Sequence, residues 1–195
     1  MPREITREDI MDIEDYALVR KERRKAVTEM KRDRRIALGP DATFYFESYE
    51  TMWHQIHEML YIERGGEEQI ADELAAYNPL IPNGRELVAT LMFEIDEPER
   101  RENFLAGLGG VEETITLTIG DRVIHAAAET DVDRTSADGK ASSVQFLHFP
   151  FTDEDVALFR DPNVKAVLGI EHEKYPHMTA IAGAARAALA GDLSD

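Results

Sequence analysis

The spacing of apolar residues in the first part of the chain predicts helices. Apolar side chains recur every three or four positions from Ile10 onward, which places them on one helical face. Thr6 and Asp9 have the spacing of a helix N-cap, so the first helix is predicted to start at Thr6 and to run to about Arg35. Further helices are predicted over residues 49–64, 67–77, 98–106, 152–160 and 178–189.

Alternation of apolar and polar residues predicts strands in the remaining segments. The clearest case is residues 112–119, which Gly120 and Asp121 connect to residues 122–128 as a hairpin. Further strands are predicted over residues 43–46, 142–149 and 164–172. Residues 87–95 are apolar on both faces, which predicts a central strand. Because hairpins and helical crossovers are mixed, we predict an α+β fold. It is a single domain with a largely antiparallel sheet flanked by helices and a long N-terminal helix.

The charged residues divide the chain into a basic start and an acidic body. The net charge is -17, yet residues 1–40 hold 11 of the 22 Lys and Arg and only 9 of the 39 Asp and Glu. We therefore expect residues 1–38 to form a basic helix that packs on, or projects from, an α+β body at residues 39–195. An acidic body repels phosphate backbones, which argues against a nucleic acid partner.

The chain contains no cysteine. This excludes disulfides, a thiolate nucleophile, zinc ribbons and protein-ligated iron–sulfur clusters. The first residues lack the apolar core of a signal peptide, and no apolar run reaches the length of a membrane span. The expectation is a soluble cytoplasmic protein.

Arginines interrupt the apolar seam of the N-terminal helix. Arg20 and Arg24 stand where an apolar residue would continue the series of Ile10, Ile13 and Ala17. One interpretation is a solvated helix; another is that these arginines neutralise carboxylates of the acidic body. Pairing of a projecting helix with a second copy of the chain is a third.

Acids and histidines also fall in phase with predicted apolar faces. They are Glu63, Glu94, Glu113, His148 and His172. A charge on a buried face is costly unless it is paired, hydrogen-bonded or metal-bound. The pattern therefore predicts an internal polar site. We expect His148 and His172 to lie on adjacent strands with their side chains pointing to the same side.

Residues 51–63 hold the highest density of chemically reactive side chains. His54 and Glu58 are four residues apart and share a helical face, a spacing that chelates metal ions. The alternative is a surface polar pair, because that face is opposite the apolar stripe. His57 is predicted to lie at the surface or at the boundary of the core.

Three further groups of residues allow a functional and a structural interpretation. His172, Tyr175 and His177 lie at the exit of a predicted strand. They belong either to a loop that binds a metal or supplies acid–base groups, or to an ordinary turn. Glu94 and Glu113 are candidate paired carboxylates, with salt bridges to Arg100, Arg101 or Arg20 as the alternative. Residues 134–143 are rich in hydroxyls, which suggests an anion-binding loop or a mobile hairpin loop.

Several segments resemble an uncharacterised bacterial family, the domain of unknown function 3501. The similarity is carried by residues 44–53, 55–60, 78–90 and 138–144, and by His172, Tyr175 and His177. The block NPLIPNG at residues 78–84 is its most specific part. The resemblance implies polar residues at Glu47, Gln55, Glu58, Glu63, Glu94, Glu113, His148, His172 and His177. It also implies genes near those of rubrerythrin-like proteins and iron–sulfur oxidoreductases, and hence an oxidative-stress or electron-transfer setting.

Three functions follow as hypotheses. The first is a cytoplasmic metal-binding accessory protein of a redox system, with iron, manganese or zinc as the metal. Its predicted ligands are His148, His172 and His177, completed by Glu58, Glu63, Glu94 or Glu113. The second is a metal-free acidic module that docks a redox partner, and the third is a hydrolase that uses the Glu/His cluster. No flavin or nucleotide motif is present.

Overall fold

The structure, a computed structural model, describes residues 4–129 and 139–194. The helices are α1 (Ile13–Arg32), α2 (Tyr49–Glu63), α3 (Gly66–Tyr77), α4 (Pro98–Ala106), α5 (Asp153–Arg160) and α6 (Gly183–Ala190). The strands are β1 (Arg35–Leu38), β2 (Ala42–Phe46), β3 (Glu86–Phe93), β4 (Ile115–Ile119), β5 (Arg122–His125), β6 (Ala127–Ala128), β7 (Val144–Pro150), β8 (Ala166–His172) and β9 (Tyr175–Ala180). Within these described ranges, no helix combines the length and apolarity that crossing a bilayer requires.

The strands form two sheets instead of one. Sheet 1 has the order β1-β2-β3-β7-β6, and sheet 2 has the order β5-β4-β8-β9. Neighbouring strands pair antiparallel in both sheets, and short turns join β1 to β2, β4 to β5 and β8 to β9. The prediction of an α+β fold with an antiparallel sheet and a long N-terminal helix is confirmed.

One apolar cluster joins the two sheets. Leu87 and Leu91 of β3 and Ile115 and Leu117 of β4 are fully buried in it, together with side chains of α4, α5 and α6. Burying a side chain of this size contributes about 1.5–3 kcal/mol relative to exposing it. Because side chains alternate along a strand, the intervening residues of β3 lie on the opposite face of sheet 1.

A second apolar cluster covers that opposite face. Met52, Ile56 and Leu60 of α2 pack there with Val88 of β3. The side chain of Ser48 caps α2 by accepting a hydrogen bond from the backbone N–H of Thr51. Both α1 and α3 contact α2, so the three helices form a layer with α2 in the middle.

The N-terminal helix begins later and ends earlier than predicted. Thr6 caps a short 3₁₀ turn (Arg7–Asp9), and α1 begins only after Asp12, which accepts a hydrogen bond from the N–H of Glu14. The physical reason is that Ile5 and Ile10 are buried against α2, which holds residues 5–10 as a strap instead of a helical turn. The chain then leaves α1 at Arg32 to enter β1.

The segment after β8 also differs from the prediction. Instead of a helix over residues 178–189, the chain forms β9 and then α6. Residues 175–180 alternate in burial, and their backbone pairs with β8 along its whole length. Pairing with the edge of sheet 2 therefore keeps residues 175–180 extended, and the Ala-rich residues that follow become helical only from Gly183.

Candidate functional site

His148 and His172 do not share a site. His148 lies on β7, which pairs with β3 and β6 in sheet 1, whereas His172 ends β8 in sheet 2. The prediction of adjacent strands is therefore wrong. Alternation along a strand shows which side chains share a face, but it does not show which strands are neighbours.

His148 lies between two carboxylates. Its Nδ1 is 2.8 Å from Glu86 Oε2, and its Nε2 is 2.7 Å from Glu129 Oε1. The exposed fractions of the three side chains are between 13% and 25%. The hydrogen bond to Glu86 and the charge of Glu129 raise the pKa of His148, against the opposing effect of burial. This geometry favours an imidazolium that donates to both acids.

We expect an NMR titration to find the pKa of His148 above its ordinary value of 6.5. A group whose pKa rises on folding stabilises the folded protein fully at pH values below its pKa in the unfolded chain. That contribution is lost as the pH rises through its pKa in the folded protein. Glu86→Gln should lower the pKa of His148 more than Glu129→Gln does, because Glu86 provides the largest favourable effect. Glu154→Gln on α5 is the control. A pKa at or below 6.5 in the unmodified protein would contradict the arrangement.

The seam between α1 and α2 contains an arginine–carboxylate pair. Arg20 donates from Nε and Nη2 to the two oxygens of Glu58, at 2.8 Å each. Tyr16 donates to Glu58 as well, at 2.9 Å. Arg20, with Tyr16, holds the pKa of Glu58 at about 2, although burial opposes this. The prediction that Arg20 reaches a carboxylate of the acidic body is confirmed.

The predicted chelate of His54 and Glu58 is not formed. Both oxygens of Glu58 accept from Arg20, and His54 Nδ1 lies 3.2 Å from the hydroxyl of Tyr16. Burial lowers the pKa of His54. The interpretation as a polar pair, here half-buried against α1, fits these contacts.

His57 is a core residue, not the surface or boundary residue that the sequence predicts. Its exposed fraction is 2%, and its ring stacks on Trp53 at a centroid distance of 3.7 Å. Nε2 accepts from the N–H of Met11 at 3.0 Å, so Nδ1 carries the proton and donates to the carbonyl of Trp53 at 2.7 Å. His57 thereby fastens the N-terminal strap to α2, and burial lowers its pKa.

His172, Tyr175 and His177 lie on the hairpin that β8 and β9 form. The hydroxyl of Tyr175 donates to the carbonyl of Leu38 and accepts from the N–H groups of Asp41 and Ala42. The ring of His177 packs on Tyr175 at 4.2 Å, and Nδ1 of His172 accepts from the backbone of its own turn. Tyr175 thus joins sheet 2 to the β1–β2 turn of sheet 1.

Gly39 shows how closely this corner is packed. Its φ of +69° is in the left-handed region, and a Cβ there would lie 2.6 Å from the Tyr175 hydroxyl and from the His177 ring. The buried Nδ1 of His177 has no hydrogen-bond partner among the described residues.

The predicted acidic ligands lie apart. Glu63 is exposed at the end of α2 and accepts from Gln69, while Glu94 accepts from the hydroxyls of Thr43 and Tyr45. Glu113 is exposed in the 3₁₀ turn Val111–Thr114, which replaces the start of the predicted strand. Across the described part of the chain, no three His, Asp or Glu side chains are placed to hold one metal ion. The predicted internal site is therefore divided into separate hydrogen-bonded groups.

The anion-binding prediction for residues 134–143 is only partly within the structure. Residues 134–138 lie outside the described residues. Of the remainder, Ser142 bonds to the backbone of Val144, an ordinary turn contact.

Comparison with known proteins agrees with the family resemblance. The family model described as "Protein of unknown function (DUF3501)" matches residues 4–193. This chain belongs to that family. A crystal structure of a protein of unknown function from Burkholderia pseudomallei K96243 is 35% identical to it. The similarity covers 98% of this chain and 100% of the other, with a TM-score of 0.91. No curated protein matches this chain.

The most specific sequence block of the DUF3501 resemblance has a structural role here. The side chain of Asn78 accepts from the N–H of Ile5 and donates to its carbonyl, at 2.9 Å each. Gly84 has a φ of +91°, and a Cβ there would collide with Ser194, whose N–H donates to the Gly84 carbonyl. The block therefore ties both ends of the described chain to the sheet.

Exposed acids gather at one end of this DUF3501 protein, which we call the acidic end. It comprises residues 94–106, the 3₁₀ turn Val111–Thr114 and the β8–β9 turn. These parts adjoin, because Phe104 contacts Tyr175 at a centroid distance of 5.6 Å, Gly107 lies against Lys174, and the turn Val111–Thr114 contacts β8. Its exposed acids are Glu94, Asp96, Glu97, Glu99, Glu102, Glu113, Glu171 and Glu173. Arg100 pairs with Asp41 of the β1–β2 turn, and Lys140 with Glu102.

Sequence reasoning missed the partners of the polar interior. The buried Glu47 accepts from Thr51 at 2.6 Å and from Thr90 at 2.8 Å. The sequence does contain a signal that Glu86 lies on the same strand face as Val88, because the two residues are two positions apart in β3. The pair of Arg34 and Asp192 joins residues 158 positions apart, and no local pattern indicates it.

Proposed function

We propose that this protein is a non-enzymatic accessory protein of a cytoplasmic redox system that docks a basic partner through its acidic end. The observation that carries the proposal is the presence of eight exposed acids in the adjoining segments of the acidic end. Clustered charge of one sign raises association rates by about 10–1,000-fold for a partner of the opposite sign. The family resemblance supplies the redox setting by association only.

The hydrogen bonds of the interior carboxylates support a role without catalysis. A general acid or base needs a free proton or lone pair that faces a substrate. Glu47 and Asp155 are buried, Glu58 and Asp192 are partly buried, and all four accept hydrogen bonds from neighbouring side chains. Each of these four carboxylates is held by its own neighbouring donors, which favours a structural role for them.

The test is binding to two candidate partners, a rubrerythrin-like protein and an iron–sulfur oxidoreductase. We expect calorimetry to detect a complex with at least one of them, and the Kd should rise steeply between about 0.05 M and about 0.3 M salt. The variant Asp96→Lys, Glu99→Lys, Glu173→Lys should weaken that complex at least about tenfold, which is about 1.4 kcal/mol.

A matched control separates the acidic end from net charge. Glu8→Lys, Glu22→Lys, Asp121→Lys makes the same change in charge at exposed positions elsewhere and should leave the Kd nearly unchanged. Equal weakening by both variants, or no complex with either partner, would refute docking through the acidic end.

Metal binding through the predicted histidines stays a separate prediction. Untagged protein should be analysed for iron, manganese and zinc, before and after reconstitution. If a stoichiometric metal is found and the variant His172→Ala, His177→Ala loses it, the metal-binding hypothesis is supported instead.

A further inference from the structure

The solvent face of α1 carries a row of cations, which we call the basic row. Lys21, Arg24, Lys25 and Arg32 lie along one side of the helix. With one acid, Glu29, and with Tyr61 of α2, they line a groove of about 570 Å³. In the described part of the chain none of the four forms an ion pair, whereas the neighbouring Arg20 is paired with Glu58. Their charge stands out on a chain whose net charge is -17.

The solvent face of α3 has the opposite charge, and we call it the acidic face. Glu68 and Asp72 are exposed one helical turn apart, with the exposed Ala71 and Ala75 beside them. No residue of α3 is fully buried, and its other acids are engaged elsewhere: Glu67 with Arg7, and Glu73 with Gln69.

We propose that the basic row of one copy of this chain docks on the acidic face of a second copy. Lys21 and Lys25 have the same four-residue spacing as Glu68 and Asp72, so two ion pairs form when the helices lie side by side. The small side chains of Ala71 and Ala75 allow the helices to approach closely. The acids that the basic row lacks within one molecule are thereby supplied by another.

The placement of the helices determines the kind of assembly. α1 and α3 each pack on α2, which lies between them, so the two faces are on different flanks of the layer. The contact is therefore head-to-tail, with α1 of each copy on α3 of the next.

Leu18 on α1, 84% exposed, adds apolar surface near the basic row. Because the charges are exposed, association should be weak and sensitive to salt.

Sedimentation velocity over a range of protein concentrations tests the proposal. Wild-type protein should associate reversibly at low salt and should be monomeric at about 0.5 M salt. Variant A (Lys21→Glu, Lys25→Glu) and variant B (Glu68→Lys, Asp72→Lys) should each stay monomeric. The control variants Lys165→Glu, Lys174→Glu and Glu8→Lys, Asp121→Lys carry the same charge changes elsewhere and should associate as the wild type does.

An equimolar mixture of A and B provides the decisive measurement. In the mixture, α1 of A is acidic and meets the basic α3 of B, while α1 of B and α3 of A keep their natural charges. Association should therefore return in the mixture. A monomeric wild type at low salt and millimolar concentration, or a mixture that stays monomeric while the wild type associates, would overturn the proposal. The outcome is independent of docking through the acidic end, which neither variant alters.

Discussion

Arg34→Met is expected to lower the free energy of unfolding by about 3–5 kcal/mol. Arg34 donates to both oxygens of Asp192, at 2.8 and 2.6 Å, and also to the carbonyl of Glu47. The exposed fractions of the Arg34 and Asp192 side chains are only 9% and 12%. Removing the guanidinium leaves a buried carboxylate without its counter-charge. Urea unfolding at neutral pH, followed by circular dichroism, measures the change.

Two further variants show whether the buried charge is responsible. Replacing both partners, Arg34→Met with Asp192→Leu, should recover part of the lost stability, because no unpaired charge then remains. Arg7→Met breaks a similar contact to Glu67 at side chains that are 54% and 72% exposed, and it should have a far smaller effect. A small loss for Arg34→Met, close to that of Arg7→Met, would show that the pair is not shielded from water.

Glu58→Gln is expected to lower the free energy of unfolding at neutral pH by about 1–2 kcal/mol, allowing for solvent screening. The pKa of Glu58 falls from 4.5 to about 2 on folding, chiefly through the hydrogen bonds from Arg20. A group whose pKa falls on folding stabilises the folded protein at pH values above its pKa in the unfolded chain. That contribution is lost as the pH falls from about 4.5 towards 2. The variant should therefore show a flatter decline of stability in acid.

Glu63→Gln is the matched control, because it removes an exposed acid from the same helix. Urea unfolding at a series of pH values from neutral to strongly acidic should give nearly the wild-type curve for Glu63→Gln. If Glu58→Gln and the wild type lose stability in parallel as the pH falls, the pair of Arg20 and Glu58 does not contribute as the geometry indicates.

The sequence predicted the local structure and one tertiary contact well. Periodicity, caps and glycine breaks indicated most helices and strands, because these signals act between residues a few positions apart. The interrupted seam of α1 indicated that Arg20 needs a carboxylate, and Glu58 supplies it. The main local error, β9, arose because pairing with β8 keeps residues 178–180 extended, where the sequence predicts the start of a helix.

The candidate site depended on tertiary structure. The sequence correctly indicated that His148 needs partners, but Glu86 and Glu129 supply them because β7 pairs with β3 and β6. In the same way, His172 belongs to another sheet, and the hydroxyl of Tyr175 joins the two sheets. Periodicity reports the face on which a side chain lies. The choice of neighbouring strands is made by long-range pairing and burial, which no local pattern in one sequence encodes.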